Sequence, residues 1–389
     1  MKLTKLFVEF FNSETAGGLV LIFVTLLSLG LANSDWHLGY VNFWHIDIAG
    51  HSLVHWINDG LMAIFFLLIG LELEREIYHG ELSDIKNATF PVFGALGGML
   101  VPASLFLLIN YGKDTTSGAG IPMATDIAFA IGILSLLGSR VPASLKVFLT
   151  ALAVIDDLGA IIVIAVFYTA SLNLTSLFIA LGIFTILLIL NRLKVYNLVL
   201  YLSGGVAMWY FMQQSGVHAT ITGVLLAFVI PFGSGGEKSP SFVIQHFLHK
   251  PVAFIILPVF AAANTCIAID SQWHSGLTQP ASIGIISGLI VGKPLGIWLF
   301  SFVGTSLGLC VLPSGLQWKN ILGAGMLGGI GFTMSIFITL LAYDNIEIIN
   351  SSKISIILAS LIAGITGFLF LRFSLKEQPA GAGPEHGSS

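Results

Sequence analysis

Charge is scarce in this sequence. Of its 389 residues only 9% are Asp, Glu, Lys or Arg, while 56% are hydrophobic. A soluble domain carries roughly a quarter charged residues. That excludes a soluble fold, and a mean hydropathy of +0.93 places the chain in a bilayer. Cysteine is almost missing as well. Cys266 and Cys310 lie far apart among apolar residues, which excludes a disulfide framework and a metal cluster and leaves both as packing residues. No segment shows the alternating pattern of a membrane barrel, so the spans are helices. No small-residue cleavage site follows the N-terminal MKLTKLFVEFF, which reads as a retained segment, a short amphipathic helix on the membrane surface.

Long apolar runs are what the chain has instead. About a dozen of them reach the roughly 20 residues needed to cross a bilayer. The expectation is an all-α polytopic membrane protein with twelve spans, near 13–33, 53–74, 89–110, 122–139, 143–169, 175–192, 196–212, 217–232, 250–268, 282–304, 320–343 and 353–373. The net charge of −4 says little, but the placement of the basic residues is informative. With both termini cytoplasmic, thirteen Lys and Arg fall on the cytoplasmic side and only Lys113 and Lys353 on the other. Lys293 alone lies well inside a span. Residues 1–376 then form a single transmembrane domain, with 34–52 external, 233–249 a polar cytoplasmic loop and 377–389 a disordered cytoplasmic tail.

Two spans are interrupted. The fourth begins GIPMATDIAFAIG, with a proline followed by Thr125 and Asp126, and the eleventh holds five glycines between Gly323 and Gly331. Non-helical backbone at membrane depth is tolerated only where it is buried in protein or lines a cavity, so paired interruptions point to a transporter site. Spans three to five (about 89–169) and ten to twelve (about 282–373) each set one interrupted helix between two continuous ones, in opposite orientation. That is the pattern of an inverted repeat.

In the middle of the fifth span, VIDDLG places Asp156 and Asp157 near the bilayer midplane. Each ionisable group there costs about 2.5–3.5 kcal/mol on the insertion scale, which folding alone gives no reason to spend. Neighbouring helical residues project about 100° apart, so the two carboxylates can share a cavity and face different partners. A hard cation such as Na+ binds ionised oxygens, so cation and proton compete for the same site. Competition at one alternately exposed site is antiport. Lys293 can pair with a buried carboxylate or neutralise the negative end of a broken helix, while Asp126 and Thr125 stand at the start of the other break. Toward the cytoplasmic end of the second span Glu72, Glu74, Arg75 and Glu76 crowd together as a solvated cluster or an ion-attracting funnel, and Asp59 lies at its other end. His218 in SGVHAT can titrate near neutral pH. His246 and His249 in IQHFLH are three apart on a turn before the ninth span and lack a third metal ligand nearby.

Taken together, LMAIFFLLIGLELERE, PMATDIAFAIGILSLLGSRVP, FLTALAVIDDLGAI, SGVHATITGV, LIVGKPLGI and GGIGFTMSIFI resemble the NhaA family of Na+/H+ antiporters, in order and over essentially the whole chain. The resemblance implies twelve helices, crossing broken helices at spans four and eleven, and pH-regulated, electrogenic extrusion of Na+ or Li+ against entering H+. It also implies a homodimer in the bacterial inner membrane, without a cofactor and without nucleic acid. By motif, Asp157 is the primary cation ligand, Asp156 the partner of Lys293 and a proton carrier, and Thr125 and Asp126 the crossing residues. Glu72, Arg75, Glu76, His218, His246 and His249 match positions linked to pH response. Two residues depart from the family pattern: Gln245 stands where a glutamate is frequent, and Glu74 where a basic residue is common. Other classes fit less well. An intramembrane aspartyl protease has only the Tyr343–Asp344 dipeptide and no GxGD motif. A sodium-coupled solute symporter would take up an organic anion, and a passive channel would conduct without proton coupling.

Overall fold

The structure, a computed structural model, describes residues 5–168, 172–269 and 273–375. The tail expected at 377–389 lies outside the described residues. Every long element is a helix, as a bilayer demands: only a helix satisfies its own backbone N–H and C=O groups within one segment. Among the described residues eight helices are long and apolar enough to cross a membrane. They are built on α1 (Lys5–Ala32), α3 (Leu53–His79), α4 (Ile85–Asn110), α6 (Ala143–Phe167), α7 (Leu174–Arg192), α10 (Pro240–Asn264), α11 (Pro280–Ser306) and α14 (Ile346–Ser374). The remaining named helices are α2 (His37–Trp44), α5 (Ile127–Ser135), α8 (Leu198–Gln214), α9 (Ile221–Val229), α12 (Trp318–Gly328) and α13 (Phe332–Ala342). Two further spans are bent pairs. A 3₁₀ segment, Asp114–Met123, meets α5 at 41°, and α12 meets α13 at 50°. The breaks fall where the sequence places them, at Thr125–Asp126 and within the glycine run.

Several expectations need correction. The expected count of twelve is neither reached nor excluded by length and composition: among the described residues up to ten spans pass, each bent pair taken as one, and α8 and α9, at the seventh and eighth expected spans, have 17 and 9 residues. The stretch 233–249 is not all loop: α10 starts at Pro240, where the Ser239 side chain accepts from Phe242 N and proline occupies the first helical turn. The fourth span begins upstream of 122, because the 3₁₀ segment runs from Asp114. The N-terminal helix is continuous with the first span rather than a separate surface piece. Strand is present after all: Asp47–Ile48 and His51–Ser52 (β1 and β2) form a small antiparallel hairpin, turned at Ala49 and Gly50, both with positive φ.

Two backbones touch at the centre of the bundle. A Cβ on Gly97 of α4 would lie 2.0 Å from the Gly296 carbonyl oxygen of α11, and one on Gly296 would lie 2.1 Å from that of Gly97. Only glycine permits this approach, and it holds Lys293, one helical turn from Gly296, against the interior. The outward faces carry exposed Leu108, Val166, Phe178 and Phe373, as lipid contact requires.

Candidate ion site at the two helix breaks

The two breaks meet in space. Asp126 N donates to Ile330 O at 2.7 Å, and Thr125 Oγ1 donates to Gly328 O at 2.9 Å, so each unwound stretch satisfies part of the other's backbone. Four half-helix ends converge here, and each end exposes unsatisfied groups and a partial charge. Asp126 serves two of them. Its Oδ1 accepts from Phe129 N at the start of α5, and its Oδ2 accepts from Thr333 N (3.0 Å) and Thr333 Oγ1 (2.5 Å) at the start of α13. One carboxylate thus caps two positive ends. The carbonyl ends take hydrogen-bond donors instead: Lys293 Nζ donates to Met123 O, and the Thr125 hydroxyl to Gly328 O.

Asp156 and Asp157 of α6 lie beside this crossing, 0% and 1% exposed, with Lys293 at 0%. Lys293 Nζ is 2.8 Å from Asp156 Oδ2, an oxygen that also lies 2.8 Å from Thr125 Oγ1 and competes with Gly328 O for that hydroxyl's single proton. Asp156 is therefore held on one oxygen. Among the described residues, Asp156 Oδ1 and both oxygens of Asp157 accept no hydrogen bond. Buried carboxylate oxygens without donors are costly, so a proton or a cation is the partner that these three oxygens fit. The adjacent aspartates differ because α6 turns them apart: Asp156 faces Lys293 and the first break, and Asp157 does not share that contact.

The six residues matched to pH response do not form one cluster. Glu72 and His249 approach at 3.5 Å (Oε1 to Nδ1), and Arg75 Nε donates to Gln245 Oε1 at 2.6 Å while its guanidinium stacks 4.8 Å above Phe242. Gln245 thus occupies as a neutral partner the place where a glutamate would make an ion pair. Glu76 follows one residue on, part-exposed at the end of α3. His246 is on the exposed side, stacked on Phe242 at 6.0 Å, apart from His249. His218 lies elsewhere, Nε2 at 2.7 Å from Tyr168 O just past the far end of α6. Among the described residues no group of three or more His, Cys, Asp or Glu is arranged to hold a metal.

Sequence reasoning missed Thr333, the second partner of Asp126. A threonine in the first turn after a glycine run was its signal. It also missed Ser335, whose hydroxyl donates to Ile121 O and ties α13 to the 3₁₀ segment.

Comparison with known proteins identifies the family. The family model described as Na+/H+ antiporter 1 matches residues 8–371. The Na(+)/H(+) antiporter NhaA 1 of Flavobacterium johnsoniae is 71% identical, covering 96% of this chain and 98% of its own length. The Na(+)/H(+) antiporter NhaA of Flavobacterium psychrophilum is 66% identical over 97% and 98%. Among solved structures, the sodium proton antiporter MjNhaP1 of Methanocaldococcus jannaschii aligns over 94% of this chain and 97% of its own with a TM-score of 0.56 at 16% identity, a likeness of fold. A match over nearly the whole length, together with such identities, makes the chain a multi-pass membrane protein of the Na+/H+ antiporter 1 family.

Proposed function

We propose that the chain exchanges Na+ or Li+ for H+ at Asp156 and Asp157, extruding the cation from the cytoplasm. The observation that carries this reading is the set of three buried carboxylate oxygens without donors, next to a buried lysine and two broken helices. Asp157 binds the cation when ionised. Protonation removes its negative charge and releases the ion, so each ligand displaces the other. Asp156 exchanges its Lys293 contact for a proton or a share of the cation, which couples a second proton to the step. The half-helices supply fixed dipoles on either side, with Asp126 and Lys293 balancing opposite ends.

The finer terms of the proposal rest on the family resemblance. They are twelve helices, with α8 and α9 completing the count, and inverted repeats at about 89–169 and 282–373. They also include both termini cytoplasmic in a bacterial inner membrane, a homodimer, a single domain over residues 1–376, and pH control by Glu72, Arg75, Glu76, His218, His246 and His249. The test is Na+-dependent proton release in proteoliposomes. Asp157→Asn should abolish it while the protein remains folded; exchange at the wild-type rate would overturn the assignment.

A further inference from the structure

A second group of titratable residues lies at the end of the bundle opposite Glu72 and Arg75. It is centred on the first turns of α3, where Trp56–Leu61 form a π-helical turn carrying Asp59. Such wide turns interrupt the regular ladder and recur at functional positions. Asp59 Oδ2 is 3.4 Å from His55 Nε2, with the two side chains 23% and 36% exposed, so both are reached by water. The His55 ring stacks on His51 from β2, with centroids 4.4 Å apart. From α8, Gln213 Nε2 lies 2.8 Å from the same His55 Nε2, and Trp209 Nε1 donates to Asp59 O at 3.2 Å. From the turn before α9, His218 lies within electrostatic reach of Asp59 and is bonded to Tyr168 O beyond α6. Asp47, on the paired strand β1, turns its carboxylate to Gly50 N within the hairpin.

One nitrogen therefore has two partners of opposite demand. A neutral His55 with Nε2 bare accepts from the Gln213 amide and presents a lone pair to Asp59. A protonated His55 donates from Nε2 to the Asp59 carboxylate, and Gln213 keeps its contact only by turning its amide over. No single protonation state satisfies both neighbours as they stand. The stacked His51 opposes a second positive charge beside the first. A proton at this site thus changes what joins α3 to α8, and through His218 it bears on the end of the helix that carries Asp156 and Asp157.

We propose that His51, His55 and Asp59, with Gln213 and His218, form a second protonation site at the outer mouth of the transporter, through which external pH sets the exchange rate independently of the ion site. The outward placement rests on the orientation given under the proposed function.

Two measurements test it. The first needs no transport: Trp56 stacks with Trp209 at 6.1 Å and meets the His51 edge at 6.1 Å, so imidazolium formation should quench indole emission. In protein held in lipid nanodiscs, emission should fall as the medium is acidified. His51→Gln/His55→Gln should lose that step, and an unchanged titration would overturn the proposal. The second is 22Na+ exchange in right-side-out and everted vesicles with pH varied on one face. His55→Gln and Asp59→Asn should each lose the dependence on external pH and keep exchange in alkaline medium. External-pH profiles identical to wild type in both variants would overturn the proposal. Wild-type vesicles that exchange no Na+ at all would instead refute the antiport reading, and the emission titration would still judge the cluster.

Discussion

The pairing of Asp156 with Lys293 decides how the two aspartates differ. Removing one partner of a fully buried ion pair leaves a charge without a counter-charge, a loss of about 3–5 kcal/mol in ordinary buried pairs. Lys293→Met should therefore lower the thermal midpoint in detergent by several degrees. The double variant Lys293→Met/Asp156→Asn should recover most of it, because no lone charge remains. The single loss is an upper value, since Asp156 can take up a proton instead of remaining ionised. Asp157→Asn makes the opposite prediction. Among the described residues Asp157 has no hydrogen-bond partner on either oxygen, so neutralising it should leave the midpoint unchanged or raise it while abolishing exchange. A midpoint that fell as far as in Lys293→Met would show that Asp157 holds the fold rather than the ion.

At the scale of elements, the crossing depends on Asp126 closing two helix starts at once. Asp126→Ala removes acceptors from Phe129 N, Thr333 N and Thr333 Oγ1 together, and each buried donor left bare costs about 1–3 kcal/mol. Asp126→Asn keeps one acceptor oxygen and should be the milder change. Thr333→Val, which keeps its backbone N–H, should be milder still. Thermal unfolding of the three variants tests this order, and equal losses would show that the caps do not act jointly. How much of this the sequence disclosed differs by element. The breaks, the aspartate pair and Lys293 were legible, because a bilayer makes charge and glycine runs conspicuous against apolar background. Their partners were not: Asp126 meets Thr333 from 207 positions away, and no local pattern encodes such a contact. The start of α10 was a different failure. Ser239–Pro240 is a readable cap, but the stretch around it is polar and reads as a loop. The outer cluster was half visible: Asp59 was evident, while His51 lay in a segment read only as a connection and its stacking partner His55 in the first turn of the second expected span.

At the scale of the whole molecule, charge bookkeeping at the site predicts a voltage dependence. With Na+ on Asp157 and Asp156 paired to Lys293, the two carboxylates, the ammonium and the ion sum to zero. With both aspartates protonated and Lys293 still charged, the same groups sum to one positive charge. If instead Lys293 gives up its proton when Na+ binds and regains it against an ionised Asp156 when Asp157 is protonated, the Na+ state sums to one negative charge and the proton state to zero, and the difference is again one. On the proposed exchange, the expected outcome is two protons returned for each Na+ and one net charge crossing per cycle by either route. A unit charge moving through 100 mV exchanges about 2.3 kcal/mol, or roughly fifty-fold in the Na+ concentration ratio that exchange can sustain. In proteoliposomes, an inward-driving K+ diffusion potential should accelerate Na+ extrusion and shift its equilibrium by that order. Clamping the potential to zero should leave exchange driven by the pH gradient alone. An equilibrium Na+ ratio indifferent to the imposed potential would mean one proton per Na+, and would remove Asp156 and Lys293 from the proton count while leaving Asp157 as the exchanging group.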